Sequence, residues 1–263
     1  MNIYLVAPHS NYFLNAYKEM DIFLAGTYSR PSVITDTDKI FVLESFYYVK
    51  EWMNPYIKEH WNFMLDSGAF TFMSNKETGK NIDWDNYVER YANYINELDI
   101  VLFLELDIDV IVGIKEVERL RTKLEKLTNK QSIPVWHKSR GKDYWFKMCD
   151  EYNYVAIGGI VTGEIKAHQY SVFKYLIKEA KKRNTKVHGL GFTSAEGLKR
   201  YRFDSVDSTV WIYGNRGGFV YQFNGRDIIK INKPVNTRVK AKKVAINNFK
   251  EWVKFQKYAK ENL

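Results

Sequence analysis

The sequence predicts an α/β fold: a closed (β/α)8 TIM-type barrel followed by a β-hairpin and a helix, with no zinc subdomain. Three observations predict it. Short β-branched or aromatic runs recur eight times before about residue 210, and helically spaced apolar stretches separate them. No glycine-rich fingerprint follows the first run, which sets aside an open dinucleotide-binding sheet. Parallel strands need crossover connections, so eight alternations close into a barrel with the helices outside.

The runs are IYLVAP (3–8), IFLAG (22–26), NFMLDSG (62–68), IVLFLELD (100–107), IPVWHK (133–138), YVAIGG (154–159), KVHGLG (186–191) and FDSVDST (203–209). Helices are expected over 44–60, where Phe46, Val49, Trp52 and Met53 form one stripe, over 84–98 behind Asp83, over 114–128 and over 167–183. Beyond Trp211 the pattern changes. FVYQF, Asn224-Gly225 and RDIIKI read as a hairpin over 219–230, because Asn-Gly supplies the two positive-φ positions of a type I′ turn. A closing helix over 243–261 carries Val244, Phe249, Trp252, Val253 and Phe255 for docking, with lysines outside. The expected division is a catalytic barrel, 1–212, with 213–263 packed on it.

Composition bounds the chemistry. The 263 residues are 45% apolar and include 16 Phe, 7 Trp and 19 Tyr, which excludes extensive disorder. A single cysteine, Cys149, excludes an intramolecular disulfide and a multi-cysteine zinc site, so a reducing cytoplasm is the expected setting. The first residues lack a basic leader, and no stretch approaches the ~18 apolar residues of a membrane span. With 40 Lys+Arg against 31 Asp+Glu, the formal charge of +9 leans modestly towards polyanionic partners such as nucleic acid, and the lack of an apolar span sets membranes aside. Oligomeric state leaves no mark on the sequence.

In a barrel of this kind chemistry sits at the C-terminal ends of the strands, so polar residues that end apolar runs are the candidates. Strand alternation puts Phe203, Ser205, Asp207 and Thr209 on one face and Asp204 on the other. It also aligns Val101, Phe103, Glu105, Asp107 and Asp109, and pairs Met64 with Asp66. Strand-end carboxylates on different strands suit general acid/base or nucleophilic work at a sugar carbon. Each alone is as well explained by capping a helix or pairing with a lysine.

Four motifs then carry a resemblance. Asp66-Ser67-Gly68-Ala69-Phe70, the stretch Ala156-Ile157-Gly158-Gly159-Ile160-Val161-Thr162-Gly163-Glu164, His188-Gly189-Leu190-Gly191 and Phe203-Asp204-Ser205-Val206-Asp207-Ser208 follow in order across roughly 60–220. Together they resemble the tRNA-guanine transglycosylase superfamily, most closely its phage and bacterial DNA-modifying branch, the 7-deazaguanine DNA transglycosylases. The resemblance implies that Asp207 is the nucleophile at the anomeric carbon and Asp66 the general acid/base. It implies a base pocket built from Ser67, Gly158, Gly159 through its N–H, Ile160 and an aspartate matching Asp107 or, shifted by two, Glu105. It further implies DNA and a 7-deazaguanine base as substrates, no cofactor or metal, and a host-cell cytoplasm if the chain is phage-encoded.

Two departures stand out. The tRNA enzymes carry a cysteine-rich zinc subdomain after the nucleophile, where this chain has its hairpin and basic helix. They carry a glutamine on strand five, where this chain has Trp136-His137-Lys138, so His137 becomes a candidate base reader. Arg216, Arg238, Lys240, Lys242 and Lys243 are the candidate phosphate contacts, whereas Lys181, Lys182 and Arg183 read as a solvated helix end. His9, His60, His168 and His188 lack metal spacing and read as structural, with His9 placed to line the pocket. Trp136, Trp145, Trp211 and Tyr213 could stack on a base or simply pack. The competing functions are guanine exchange in tRNA or other RNA and a non-catalytic nucleic-acid-binding barrel. A metal-dependent barrel hydrolase is disfavoured, because no histidine pair lies near the first strand.

Overall fold

A computed structural model of the chain describes residues 1–6, 8–10, 12–17, 39–68, 71–72, 82–192, 194–212, 219–233 and 240–263. Eight parallel strands form one sheet: β1 (Asn2–Val6), β2 (Ile40–Ser45), β3 (Trp61–Asp66), β4 (Leu102–Phe103), β5 (Val135–Trp136), β6 (Tyr154–Ile157), β7 (Lys186–Gly189) and β8 (Ser205–Ser208). Their order, β4-β3-β2-β1-β8-β7-β6-β5, curls through 274°. A single parallel bridge, Leu104 to Ile133, joins the two edge strands. The predicted barrel is therefore the architecture, with Tyr4, Phe41, Leu43, Met64, Leu104, Ile133, Val135 and Ala156 packed inside it.

A second apolar layer lies between strands and helices, and helix ends follow local chemistry. The Asp83 side chain accepts the Asn86 N–H at 3.0 Å and starts the helix Trp84–Glu97, whose Val88, Tyr91 and Ile95 are buried. Asn129, left-handed at φ 53°, closes the helix Ile114–Thr128. The helix expected over 167–183 is split into a 3-10 turn, Ala167–Gln169, and the helix Val172–Lys181.

Three expectations are corrected. The second strand is Ile40–Ser45 and takes the start of the helix expected over 44–60; the run at 22–26 lies outside the described residues. IFVLES is a six-residue run with its first five residues buried, which satisfies the sheet, and Pro55 then marks the first turn of the short helix Asn54–Glu59. The fourth strand ends at Phe103 instead of running to 107, since side chains take over the pairing beyond Leu104, as described below. The hairpin β9 (Phe219–Phe223) and β10 (Ile228–Asn232) closes through four residues, not two. There Asn224 Oδ1 accepts the N–H groups of Arg226 and Asp227 at 3.0 and 2.7 Å, and only Gly225 has positive φ.

The helix Ala241–Asn262 buries Val244, Phe249, Trp252, Val253 and Phe255, as its spacing predicts. Asn248 ties it to the hairpin and to the end of β8, accepting the Tyr221 N–H at 2.7 Å and donating to the Trp211 carbonyl at 3.3 Å. Further along, Gln256 is 1% exposed, accepts the Phe41 N–H at 3.0 Å, and donates to the carbonyls of Ile3 and Phe41 at 2.5 and 2.8 Å. Asp227 in the hairpin turn pairs with Lys199, tying the hairpin to the helix Ala195–Tyr201. Among the described residues no helix is long and apolar enough to cross a membrane.

Gln256→Leu keeps the volume but strands three buried backbone groups. Each unmade buried bond costs about 1–3 kcal/mol, so a loss of roughly 2–4 kcal/mol is expected in urea unfolding, the midpoint falling with an unchanged slope.

Candidate active site

The C-terminal ends of the strands bring together carboxylates and histidines from β3 to β8. Asp66 ends β3 on the same face as Met64, inside the barrel. The Gly68 N–H donates to its Oδ2 at 3.0 Å, and the segment is pinned beneath by Tyr87 Oη on the Ser67 carbonyl and Tyr91 Oη on those of Leu65 and Leu104. Burial pushes the Asp66 carboxyl up to about 7; the Gly68 bond opposes this, and the charges of Asp207, Asp107 and Glu44 add to it. Asp66 can thus hold or release a proton near neutrality. The Ser67 hydroxyl, also enclosed here, has no hydrogen-bond partner among the described residues.

Asp207 comes from β8. Ser205 and Asp207 both turn inward, as alternation predicts, whereas Asp204 turns out and accepts the Val187 N–H at 2.8 Å. Phe203, expected on the inner face, precedes the strand and joins the outer layer. Two groups meet Asp207 Oδ1: the Gly191 N–H at 2.7 Å and His188 Nε2 at 3.2 Å. No described residue bonds to Oδ2.

The largest departure from the sequence reading lies after β4. Three carboxylates on one strand face were expected, but the strand ends and they diverge around a residue the sequence reading missed, Arg140. Its side chain is 4% exposed and bonds Glu105 at 3.2 Å, Asp107 at 3.1 Å and Asp109 at 2.9 Å. Glu105 is fully buried, held also by Arg121 at 2.9 Å and by the Val135 N–H at 2.8 Å. Burial raises its pKa and the two guanidiniums counter this. With its side chain 0% exposed against 14% for Asp107, Glu105 faces no open pocket. Asp109 begins the short helix Asp109–Val112.

Asp107 reaches His137 instead. The ring is gripped on both sides, Nε2 by Asp107 Oδ2 at 2.7 Å and Nδ1 by Glu164 Oε2 at 3.0 Å. Burial opposes its charging, yet Asp107 and Glu164 outweigh that and lift the imidazolium to about 9. The glycine pair just beyond β6 makes this possible. A Cβ at Gly158 would stand 2.7 Å from the His137 ring, and one at Gly159, whose φ is +79°, 2.7 Å from Glu164. No described residue accepts the Gly159 N–H, and Ile160 is half-buried beside it.

Ligand atoms of Asp107, Asp109 and His137 lie within 4.8 Å of one another, a spacing that suits a cation. Arg140 already bonds two of the three, so a protein guanidinium supplies the positive charge there. This half-buried cluster in the barrel mouth marks a potential catalytic centre.

The remaining candidates divide clearly. Lys240, Lys242 and Lys243 are exposed at the start of the C-terminal helix, which runs from Trp211, beyond the end of β8, down to Met1. They therefore sit at the mouth end. Arg216, Arg238 and Tyr213 lie outside the described residues. Trp136, Trp145 and Trp211 are buried packing residues. His9 stacks on Tyr48 at 4.4 Å and meets Glu44 at 2.8 Å. His188, read from the sequence as structural, touches Asp207. No protein-family model matches the chain, and no curated protein matches it.

Arg140→Met leaves one fully buried and two half-buried carboxylates without their shared cation, and should cost about 3–5 kcal/mol in denaturant unfolding. The pH dependence of stability follows from the raised groups. Asp66 favours the folded state below 3.8 and loses that contribution as pH rises through about 7; His137 does so below 6.5 and loses it through about 9. Asp66→Asn should flatten the first decline and His137→Gln the second, measured as unfolding free energy across pH.

Proposed function

We propose that the protein is a pentosyltransferase that exchanges guanine in DNA for a 7-deazaguanine derivative through a covalent glycosyl-aspartate. The observation that carries this reading is the contrast between two inward aspartates. Asp66 is proton-bearing near neutrality, while Asp207 has one oxygen held and the other without a described partner. Such pairs of unlike carboxyls divide nucleophile from acid. The order of the four motifs supports the same assignment.

In the first displacement Asp207 bonds to C1′, the C1′–N bond breaks with its electron pair leaving on guanine, and Asp66 gives that base its proton. In the second, the incoming base yields its own proton to Asp66 and attacks C1′, releasing the Asp207 carboxylate. Protons and charge balance, and two inversions give retention. One glycosidic bond is traded for another, so neither cofactor nor metal is needed. Asp107, oriented by His137 and Arg140, suits paired donors on a guanine-like edge; Gly159 offers its N–H to a carbonyl, and Gly158, Ile160 and Ser67 complete the wall. Glu105 serves by holding Arg140 in place.

Residues 1–212 form the catalytic part in this reading, and 213–263 the part that meets the polymer. Lys240, Lys242 and Lys243, with Arg216 and Arg238, would contact phosphates, and the target base must leave the stack at a cost of a few kcal/mol.

Asp207→Asn should abolish labelled-guanine exchange and any denaturation-resistant adduct with DNA. Asp66→Asn should slow exchange by roughly 10²–10⁴-fold. Wild-type first-step rates should fall as pH rises through about 7, where Asp66 loses its proton. A chelator should change nothing, and DNA should be labelled in preference to tRNA. Labelling of tRNA alone would transfer the reaction to RNA.

A further inference from the structure

The interior below Asp207 holds a chain of polar contacts that the reaction above does not use. Inward residues of three adjacent strands form it: Tyr154 on β6, His188 on β7 and Ser205 on β8, with His188 in register with both Ala156 and Ser205. Tyr154 Oη meets Ser205 Oγ at 2.5 Å, Ser205 Oγ meets His188 Nδ1 at 2.5 Å, and His188 Nε2 reaches Asp207 Oδ1 at 3.2 Å. His188 and Ser205 are 0% exposed, and the Tyr4 ring stands edge-on to His188 at 6.0 Å.

We infer that His188 is a positioning residue for the nucleophile: Ser205 and Tyr154 lock it as the Nε2–H tautomer, and its donation to Oδ1 makes Oδ2 the attacking oxygen of Asp207. The inference rests on the reading of Asp207 as nucleophile. An ionised carboxylate only accepts, so the proton between ring and Asp207 belongs to Nε2. Nδ1 is then the acceptor and takes the Ser205 hydroxyl proton, which leaves the Ser205 oxygen to accept from Tyr154. Every donor and acceptor is used once, in one direction.

The chemical consequence concerns both displacements. With Oδ1 held by His188 and the Gly191 N–H, a bond from Oδ2 to C1′ turns Oδ1 into the ester carbonyl. When the incoming base breaks that bond, the electron pair returns to the carboxylate and both donors meet the returning charge. A histidine that merely filled the interior would have no reason to affect adduct formation or release at an unchanged KM.

Two measurements test this. In 15N-labelled protein, with His188 assigned through His188→Gln, long-range 1H–15N spectra should show a protonated Nε2 and an acceptor Nδ1, and Ser205→Ala should shift Nδ1 selectively. In single-turnover assays His188→Leu should slow adduct formation and release by about tenfold or more while leaving the KM for DNA unchanged, with partial rescue in His188→Gln through its amide donor. An Nδ1-protonated ring, or His188→Leu turning over at the wild-type rate, would overturn the inference. A wild-type protein that exchanges no base fails the functional reading alone, because the spectrum decides the ring's orientation without turnover. If His188→Leu does not fold, the Ser205→Ala spectrum still decides.

Discussion

The Arg140 guanidinium is where this structure closes. Only one backbone bridge joins β4 to β5, and beyond it side chains take over the pairing. Glu105 accepts the Val135 N–H, Arg140 donates to the Val135 carbonyl, and Arg121 anchors Glu105 from the neighbouring helix. A buried carboxylate and guanidinium thus do what backbone amides do elsewhere in the sheet. The same guanidinium holds Asp107, which holds His137, which holds Glu164. Barrel closure and the geometry of the mouth are therefore one electrostatic unit, and disturbing either disturbs both.

On the other side of the mouth the logic differs. Asp66 has one backbone donor and three carboxylates acting on it, so its proton is retained by burial and repulsion. Asp207 has two donors on one oxygen. Two residues of identical chemistry thus meet different surroundings, the contrast on which the proposed division between acid and nucleophile rests.

Much of this was legible in the sequence, and the limits have physical causes. Asp66 and Asp207 were readable because β3 and β8 are regular up to those residues, so alternation assigns their face. The same rule failed for Glu105, Asp107 and Asp109, because it holds only while the strand lasts and β4 stops at Phe103. The second strand was misplaced because IFLAG and IFVLES are both short apolar runs, indistinguishable by pattern alone. Arg140 was invisible, since a lone arginine after a strand gains meaning only when three acids converge on it. Glu164 lay inside a recognised motif, yet its bond to His137 is a tertiary fact; the adjacent Gly158 and Gly159 hinted that something stood close. The division of His188 from the other histidines likewise needed the register of β7 against β8.

The cover over β1 and β2 has a consequence for how the chain is made. Gln256 bonds to Ile3 and Phe41, residues synthesised more than two hundred positions earlier, and β1 also pairs with β8. On the ribosome the first two strands therefore emerge long before either the strand that flanks them or the helix that shields them. Parallel strands left open in this way are slow to settle and prone to associate. The first two strands must stay soluble without their native neighbours until residue 256 has been translated, which makes production of this fold depend on translation speed and on chaperone occupancy as well as on its final stability.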